Sequence, residues 1–380
     1  MIALSGGLGP IIECIQNSDG YILHSRKSGA IVSSNEIGAL IHSGLERADS
    51  IELIAADLAK LLNESPRCAA KILDEVVDHW QKSGLFSSKK HPFPDQIAYR
   101  EPINPGVSFY HLGERRVVLR SEHHVLIHQL NLSLNQYRLT EDDASIRSND
   151  VVLDVIEDDQ GYGLFLNGEA VWGRAGIDLT RFHVIRECMD YFCGYEQTSA
   201  LLHAGAVSKD GNALIIAGGS GAGKTTLTLG LCSTGCQLAS DDHVALHRDG
   251  KQMIAFPTAS AVKAGTMKLP ELKKIIETGM EDNASPREGV TYVAHSNCIA
   301  PAVPLGVSAV IFPQYQPCAQ NKITRISPGE SLKQLMETGG RLSRRCTTIE
   351  PLVSLLNHIP SYQLSYSSSD YSVQTCLELV

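Results

Sequence analysis

Long apolar runs are missing from this sequence, which nowhere approaches the ~20 consecutive apolar residues of a membrane-spanning helix. A helical membrane protein is therefore excluded. The start, Met1-Ile2-Ala3-Leu4-Ser5-Gly6-Gly7, lacks the basic residues and long apolar segment of a signal peptide, so a cytoplasmic location is expected. No block of Lys and Arg stands out, and a formal net charge of −9 argues against nucleic acid as a partner. The ten cysteines include no C-x-x-C pair. Their closest couples, Cys188/Cys193 and Cys232/Cys236, fit neither a zinc nor a redox spacing, and reduced, mostly buried thiols are expected. Fourteen histidines cluster only as His123-His124 with His128 and as His243 with His247. No H-E-x-x-H accompanies either group, so no structural metal is expected. There is no internal repeat and no low-complexity tract. What remains is 43% hydrophobic and 20% charged over 380 residues, an ordinary globular composition too long for one core.

Against these absences stands one complete pattern. Gly218-Gly219-Ser220-Gly221-Ala222-Gly223-Lys224-Thr225 matches G-x-x-x-x-G-K-[ST], the P-loop, whose glycines let the backbone curl until successive N–H groups point at phosphate oxygens. Lys224 would reach the β/γ-phosphates, and the Thr225 hydroxyl would complete the coordination of Mg²⁺. The apolar run Ala213-Leu214-Ile215-Ile216-Ala217 reads as a buried strand before the loop. Thr226-Leu227-Thr228-Leu229-Gly230-Leu231-Cys232 reads as a helix after it. That order gives an anion both oriented amides and the positive end of a helix dipole.

The chain divides into a small α+β unit over residues 1–90 and a larger part over 91–380. In the first, Gly20-Tyr21-Ile22-Leu23-His24-Ser25 and Ala30-Ile31-Val32-Ser33 read as strands. A short helix follows from Asn35 with Ser33 or Ser34 as its cap, then one from Ile51 after Asp49-Ser50. An amphipathic helix over 66–83 sets Ala69, Ile72, Leu73, Val76, Val77 and Trp80 on one face and stops at Gly84. The polar, proline-bearing Ser87-Ser88-Lys89-Lys90-His91-Pro92-Phe93-Pro94 suits a linker. Residues 107–176 form a β-rich lead-in, with strands at 115–120 and 151–156 and an Asn167-Gly168 hairpin. A helix over about 179–202 then runs into the catalytic core, about 179–345. Beyond 250, a strand at 307–312 and a helix near 329–337 are expected, with no motif that carries a role.

Two further features stand at telling distances from Lys224: His203, 21 residues before it, and Asp241-Asp242, 17 and 18 residues after it. Phosphoryl transfer to a hydroxyl needs a carboxylate to help hold Mg²⁺ and a base near the attacking oxygen. Adjacent aspartates at the end of a short strand supply both, and their mutual repulsion raises one pKa. On spacing alone the pair also suits a surface turn, and His203 also suits a structural role.

His203-x-Gly205, the P-loop and Asp241-Asp242 together resemble the catalytic core of HPr kinase/phosphorylase and its related kinases. The resemblance implies an α/β P-loop fold allied to phosphoenolpyruvate carboxykinase, with ATP and Mg²⁺ as cofactors. It also implies phosphorylation of a serine hydroxyl on a protein or peptide, and allows a homo-oligomer. Gly218, Gly219, Ser220, Gly221, Ala222, Gly223, Lys224, Thr225 and Thr226 would then bind nucleotide. Thr225 and Asp241 would bind metal, Asp241 and Asp242 would share metal and general-base work, and His203 would assist near the transferred group. Thr226 stands where that family usually has an acidic residue, and Arg287 and Lys263 are candidates for its cationic role. These departures place the chain nearer the HPr-kinase-related proteins encoded beside peptide-modification genes. Residues 20–86 resemble the PqqD-like domains, winged-helix-like modules that bind leader peptides by strand addition. The expected substrate is accordingly the Ser/Thr of a ribosomally made precursor peptide. A small-metabolite kinase and a nucleotide-gated peptide scaffold are the alternatives.

Overall fold

The computed structural model describes residues 12–87, 96–139, 145–280 and 289–380 of a mixed α/β protein with several sheets. Its first unit holds β1 (Ile12–Asn17), β2 (Gly20–Ser25) and β3 (Ile31–Ser34), an antiparallel meander in that order, followed by α1 (Glu36–Glu46), α2 (Ile51–Leu62) and α3 (Pro66–Lys82). Each helix starts on a side-chain cap: Asn35, Ser50 and Ser65 accept from the N–H groups of Gly38, Leu53 and Cys68. The first cap is Asn35, one residue past the expected serines, because Ser34 is still paired with Tyr21 in the sheet. On α3 Ala69, Leu73 and Trp80 are buried against Leu23, Ile41 and Leu58, and Ile72, Val76 and Val77 line the margin of that core.

The β-rich lead-in is one five-stranded sheet of β4 (Gly106–Leu112), β5 (Arg115–Ser121), β6 (Val151–Asp158), β7 (Gly161–Leu166) and β8 (Glu169–Ala175), in chain order. Only β5 and β6 are parallel, so a crossover must join them, and α4 (His124–Ser133) lies in it. That helix was not expected from the sequence. His123 is its N-cap, Nδ1 accepting from Leu126 N–H at 3.1 Å. Asn167 and Gly168 both have positive φ, 49° and 83°, as a tight hairpin turn requires.

Helix α5 (Ile177–Cys193) is shorter than its expected span. Gly194, at φ 90°, breaks it, and 198–202 become strand instead. The rest comprises β9 (Thr198–Leu202), β10 (Ala204–Lys209), β11 (Asn212–Ala217), α6 (Lys224–Ser233), β12 (Gln237–Ser240), β13 (Val244–His247) and β14 (Gln252–Ile254). Next come β15 (Ser260–Lys263), α7 (Ala264–Met267), α8 (Lys273–Gly279), β16 (Val290–Val293), β17 (Pro304–Tyr315) and β18 (Lys322–Ile326). The chain ends with α9 (Pro328–Glu337), β19 (Arg341–Leu342), α10 (Glu350–His358), β20 (Ser361–Tyr366) and α11 (Ser369–Leu377).

Two pairs of these strands are continuous runs of chain with short breaks. β9 and β10 are separated only by His203, and β12 and β13 only by Asp241-Asp242-His243. The two runs pair antiparallel on both sides of their breaks, β9 with β13 and β10 with β12. Hydrogen bonding therefore passes from β10 through β11, β17, β14 and β13 back to β9. Ala200, Leu202, Ala204 and Ala206 face one core, so by alternation His203 lies on the opposite side, with Leu201 and Val207. Small residues in β10 let α6 approach: a Cβ on Gly205 would stand 2.7 Å from Thr228 Oγ1.

A buried polar seam ties α5 to the segment after α9. Glu187 receives Arg341 at 2.5 Å and Arg344 at 2.8 Å, while Asp190 accepts from Ser343 Oγ at 2.6 Å and Arg344 N–H at 3.0 Å. Removing one partner of such a buried pair costs roughly 3–5 kcal/mol. A second tie joins the N-terminal unit to the core. Glu13 on β1 accepts from Thr348 Oγ1 at 2.8 Å, from Ile349 N–H at 2.6 Å and from Arg26 at 3.1 Å, and contacts His24 Nδ1 at 2.6 Å. All ten cysteines carry free thiols. Among the described residues no helix is long and apolar enough to cross a membrane.

Candidate active site

The P-loop leaves β11 and ends on α6, as its pattern requires. Gly218, Gly221 and Gly223 have φ of 153°, 84° and 102°, values that side chains with a Cβ rarely adopt. Gly223 is the α6 N-cap, and a Cβ there would lie 2.4 Å from the Tyr366 hydroxyl. Lys224 is buried, and its Nζ donates to Gly218 O at 2.7 Å and Gly219 O at 3.2 Å, so the ammonium is folded into the loop. Burial lowers its pKa, a shift that Asp242 and Asp241 partly oppose. Thr225 is half-buried at the second position of α6.

Asp241 and Asp242 follow β12, in the break between it and β13. Leu202 pairs with Val244 and Ala206 with Ser240, leaving 203–205 opposed to 241–243 without a regular ladder. The left-handed φ of Asp242, 64°, turns the chain there, and buried Ser240 fastens the turn by donating to the carbonyl of His243. His203 Nε2 lies 3.7 Å from Asp242 Oδ1 across the break. Its other nitrogen, Nδ1, donates to Thr338 O at 3.2 Å, which fixes the ring's orientation. The two carboxylates differ sharply. Asp241 is buried with Oδ1 unpartnered; burial, then the charge of Asp242, pushes its carboxyl well above the usual range. Burial also raises Asp242, but attraction to His203, with His243 and Lys224 behind it, outweighs that and holds the carboxyl well below the usual range. Its side chain is 30% exposed, so a ligand can reach it.

Of the two candidate cations, Lys263 stands at the loop, its Nζ donating to Ser220 Oγ at 3.2 Å; Arg287 lies outside the described residues. Thr226 is tied to Thr266 on α7 through their hydroxyls, 2.8 Å apart, so the β15–α7 arm is fastened to the start of α6. Several supporting groups had no sequence signal. Thr258 Oγ1 donates to the Asp241 carbonyl at 3.1 Å, and the Thr338 carbonyl, at the end of α9, accepts from His203. Phe182 packs its ring 4.9 Å from His203 and 4.4 Å from His243, with Arg186 over it at 4.5 Å. Among the described residues no three or more His, Cys, Asp or Glu side chains gather into a preformed metal cage.

No family model matches the chain, and no curated protein is similar to it. Among solved structures it is similar to that of the Hpr(Ser) kinase/phosphatase from Coxiella burnetii, at 12% identity and a TM-score of 0.23. The match covers 47% of this chain and 96% of that one. A likeness at that TM-score assigns neither fold nor activity.

Proposed function

We propose that the chain is an ATP- and Mg²⁺-dependent kinase that phosphorylates a Ser or Thr hydroxyl of a ribosomally made precursor peptide, or of a protein. The observation that carries this reading is the unequal aspartate pair beside a P-loop: a buried carboxyl with an unpartnered oxygen, and a partly exposed one held ionised. The residues fit a metal-bound nucleotide. The glycine cradle from Gly218 to Gly223 presents amides at the N-terminus of α6, and Thr225 and the orphaned Asp241 Oδ1 offer oxygen ligands. Few protein ligands are what Mg²⁺ takes when phosphate oxygens complete its shell. When bound, the ion neutralises charge between the β- and γ-phosphates.

Lys224 would exchange its two loop carbonyls for phosphate oxygens. Asp242, the carboxylate an acceptor can approach, would take the hydroxyl proton, and His203 would hold Asp242 in place. Lys263, bonded to Ser220 of the loop, would share the phosphate charge. The N-terminal unit would bind the peptide's leader as a PqqD-like domain does, by strand addition. On the β1 edge of its sheet the Gln16 carbonyl accepts from Asn357 Nδ2 at 3.4 Å, so β3 would be the edge that takes a guest strand. Tethering the leader raises the acceptor's effective concentration at the cleft.

The test is incubation of the protein with candidate precursor peptides encoded near its gene, ATP and Mg²⁺. One peptide should gain the mass of one phosphate, and Lys224→Ala and Asp242→Asn should abolish the gain. ATP turnover on a small hydroxylated acceptor, with none on the peptides, would overturn the choice of substrate.

A further inference from the structure

We propose that Tyr315 is the surface on which the base of the bound nucleotide stacks. This rests on reading 218–225 as a nucleotide site and adds where the rest of the nucleotide goes. β11, β17 and β20 are parallel neighbours, so their carboxyl ends lie along one rim: the P-loop follows β11, Tyr315 closes β17 and Tyr366 closes β20. Ligands of parallel sheets lie beyond that rim. The flanks of β11 differ. β10 and β12, which lead into His203 and Asp242, lie on one side, and β17 with β20 on the other. A terminal phosphate facing Asp242 therefore directs the base the opposite way, over β17 and β20.

Tyr315 waits at that place. It is 50% exposed, although strand β17 carries it out of a buried core. Its ring meets Tyr366 at 5.6 Å and 61°, an edge contact that braces it without covering it. Its backbone is fastened to the P-loop, the N–H donating to Ala222 O at 3.4 Å, and a Cβ on Gly223 would lie 3.8 Å from the Tyr315 Cβ. The loop that holds the phosphates thus sets the position of the aromatic ring. Stacking discriminates little between bases, so the platform would accept nucleotides of differing base.

Calorimetric titration of the full-length protein with ATP and with tripolyphosphate, which has no base, tests this. Wild type should bind ATP the more tightly. Tyr315→Ala should weaken ATP about tenfold and leave tripolyphosphate unchanged, and Tyr315→Phe should retain wild-type affinity. Equal loss of both ligands, or loss of neither, would overturn the stacking role. So would a loss of ATP affinity in Asp370→Asn but not in Tyr315→Ala, which would put the base in the cleft between α6 and α11. If wild type binds ATP and tripolyphosphate equally, the stacking fails alone. If it binds neither, the nucleotide site fails with it.

Discussion

His203 and Asp242 face each other across a gap in a β-ladder, Nε2 to Oδ1 at 3.7 Å, with the far nitrogen of the histidine anchored on the Thr338 carbonyl. The histidine is thus a bridge between the aspartate turn and the end of α9. Asp242→Asn should lower the rate of phosphoryl transfer about 10²–10⁴-fold, the range of a lost general base, with ATP affinity unchanged. His203→Gln should cost less, because it acts through Asp242. Steady-state kinetics beside calorimetry of ATP binding separates the two effects.

Asp241 should reveal itself as a group that weakens the empty protein. Burial and the charge of Asp242 raise its folded pKa well above the ordinary carboxylate value, so keeping it ionised opposes folding increasingly as pH rises from about 4 through neutrality. Asp241→Asn is expected to raise the Tm in EDTA, with a gain that grows across that window, while abolishing activity. Thermal melts at pH 5 and pH 8 check both the direction and the trend.

Gly223→Ala should disable the P-loop for two separable reasons. A Cβ would meet the Tyr366 hydroxyl at 2.4 Å, and the φ of 102° is itself unfavourable by roughly 1–2 kcal/mol. Adding Tyr366→Phe removes the first cost and leaves the second. The double variant should therefore recover part, and only part, of the nucleotide affinity lost in the single one.

Glu13 supplies an acid-sensitive tie. Burial alone would raise its pKa, but the bonds from His24, Ile349, Thr348 and Arg26 together bring it down to about 2. A depressed carboxyl pKa stabilises the fold above about 4.5, and that contribution disappears as pH falls toward 2. The shift corresponds to about 3 kcal/mol at most. Glu13→Gln should lower the Tm at pH 7 and lose its disadvantage near pH 2. Hydrogen exchange should show the change at β1 and at Thr348–Ile349.

Much of the phosphate cradle was legible in the sequence because a P-loop is a local object, made by glycines and the lysine in one octet. The helix stripe of Ala69, Leu73 and Trp80 was legible for the same reason. Long-range partners were not. Thr338 meets His203 from a separation of 135 residues, and Glu187 collects Arg341 and Arg344 from beyond α9. Nothing in the local pattern of either end announces such a contact. The error over 198–202 has a different cause. An apolar run after an apolar helix has no period of its own, and only Gly194 marks the change. α4 escaped notice because a histidine, rather than Ser, Thr, Asp or Asn, caps it.

The circuit of strands that runs from β10 around to β9 has a bearing on how this protein should fail. Its two breaks, at His203 and at Asp241–His243, are each bracketed by paired backbone on both sides. Separating the facing side chains therefore requires the β9–β13 or the β10–β12 pairing to open with them. On heating, turnover and global structure should disappear at one temperature, with the amides flanking the breaks among the last to exchange with solvent.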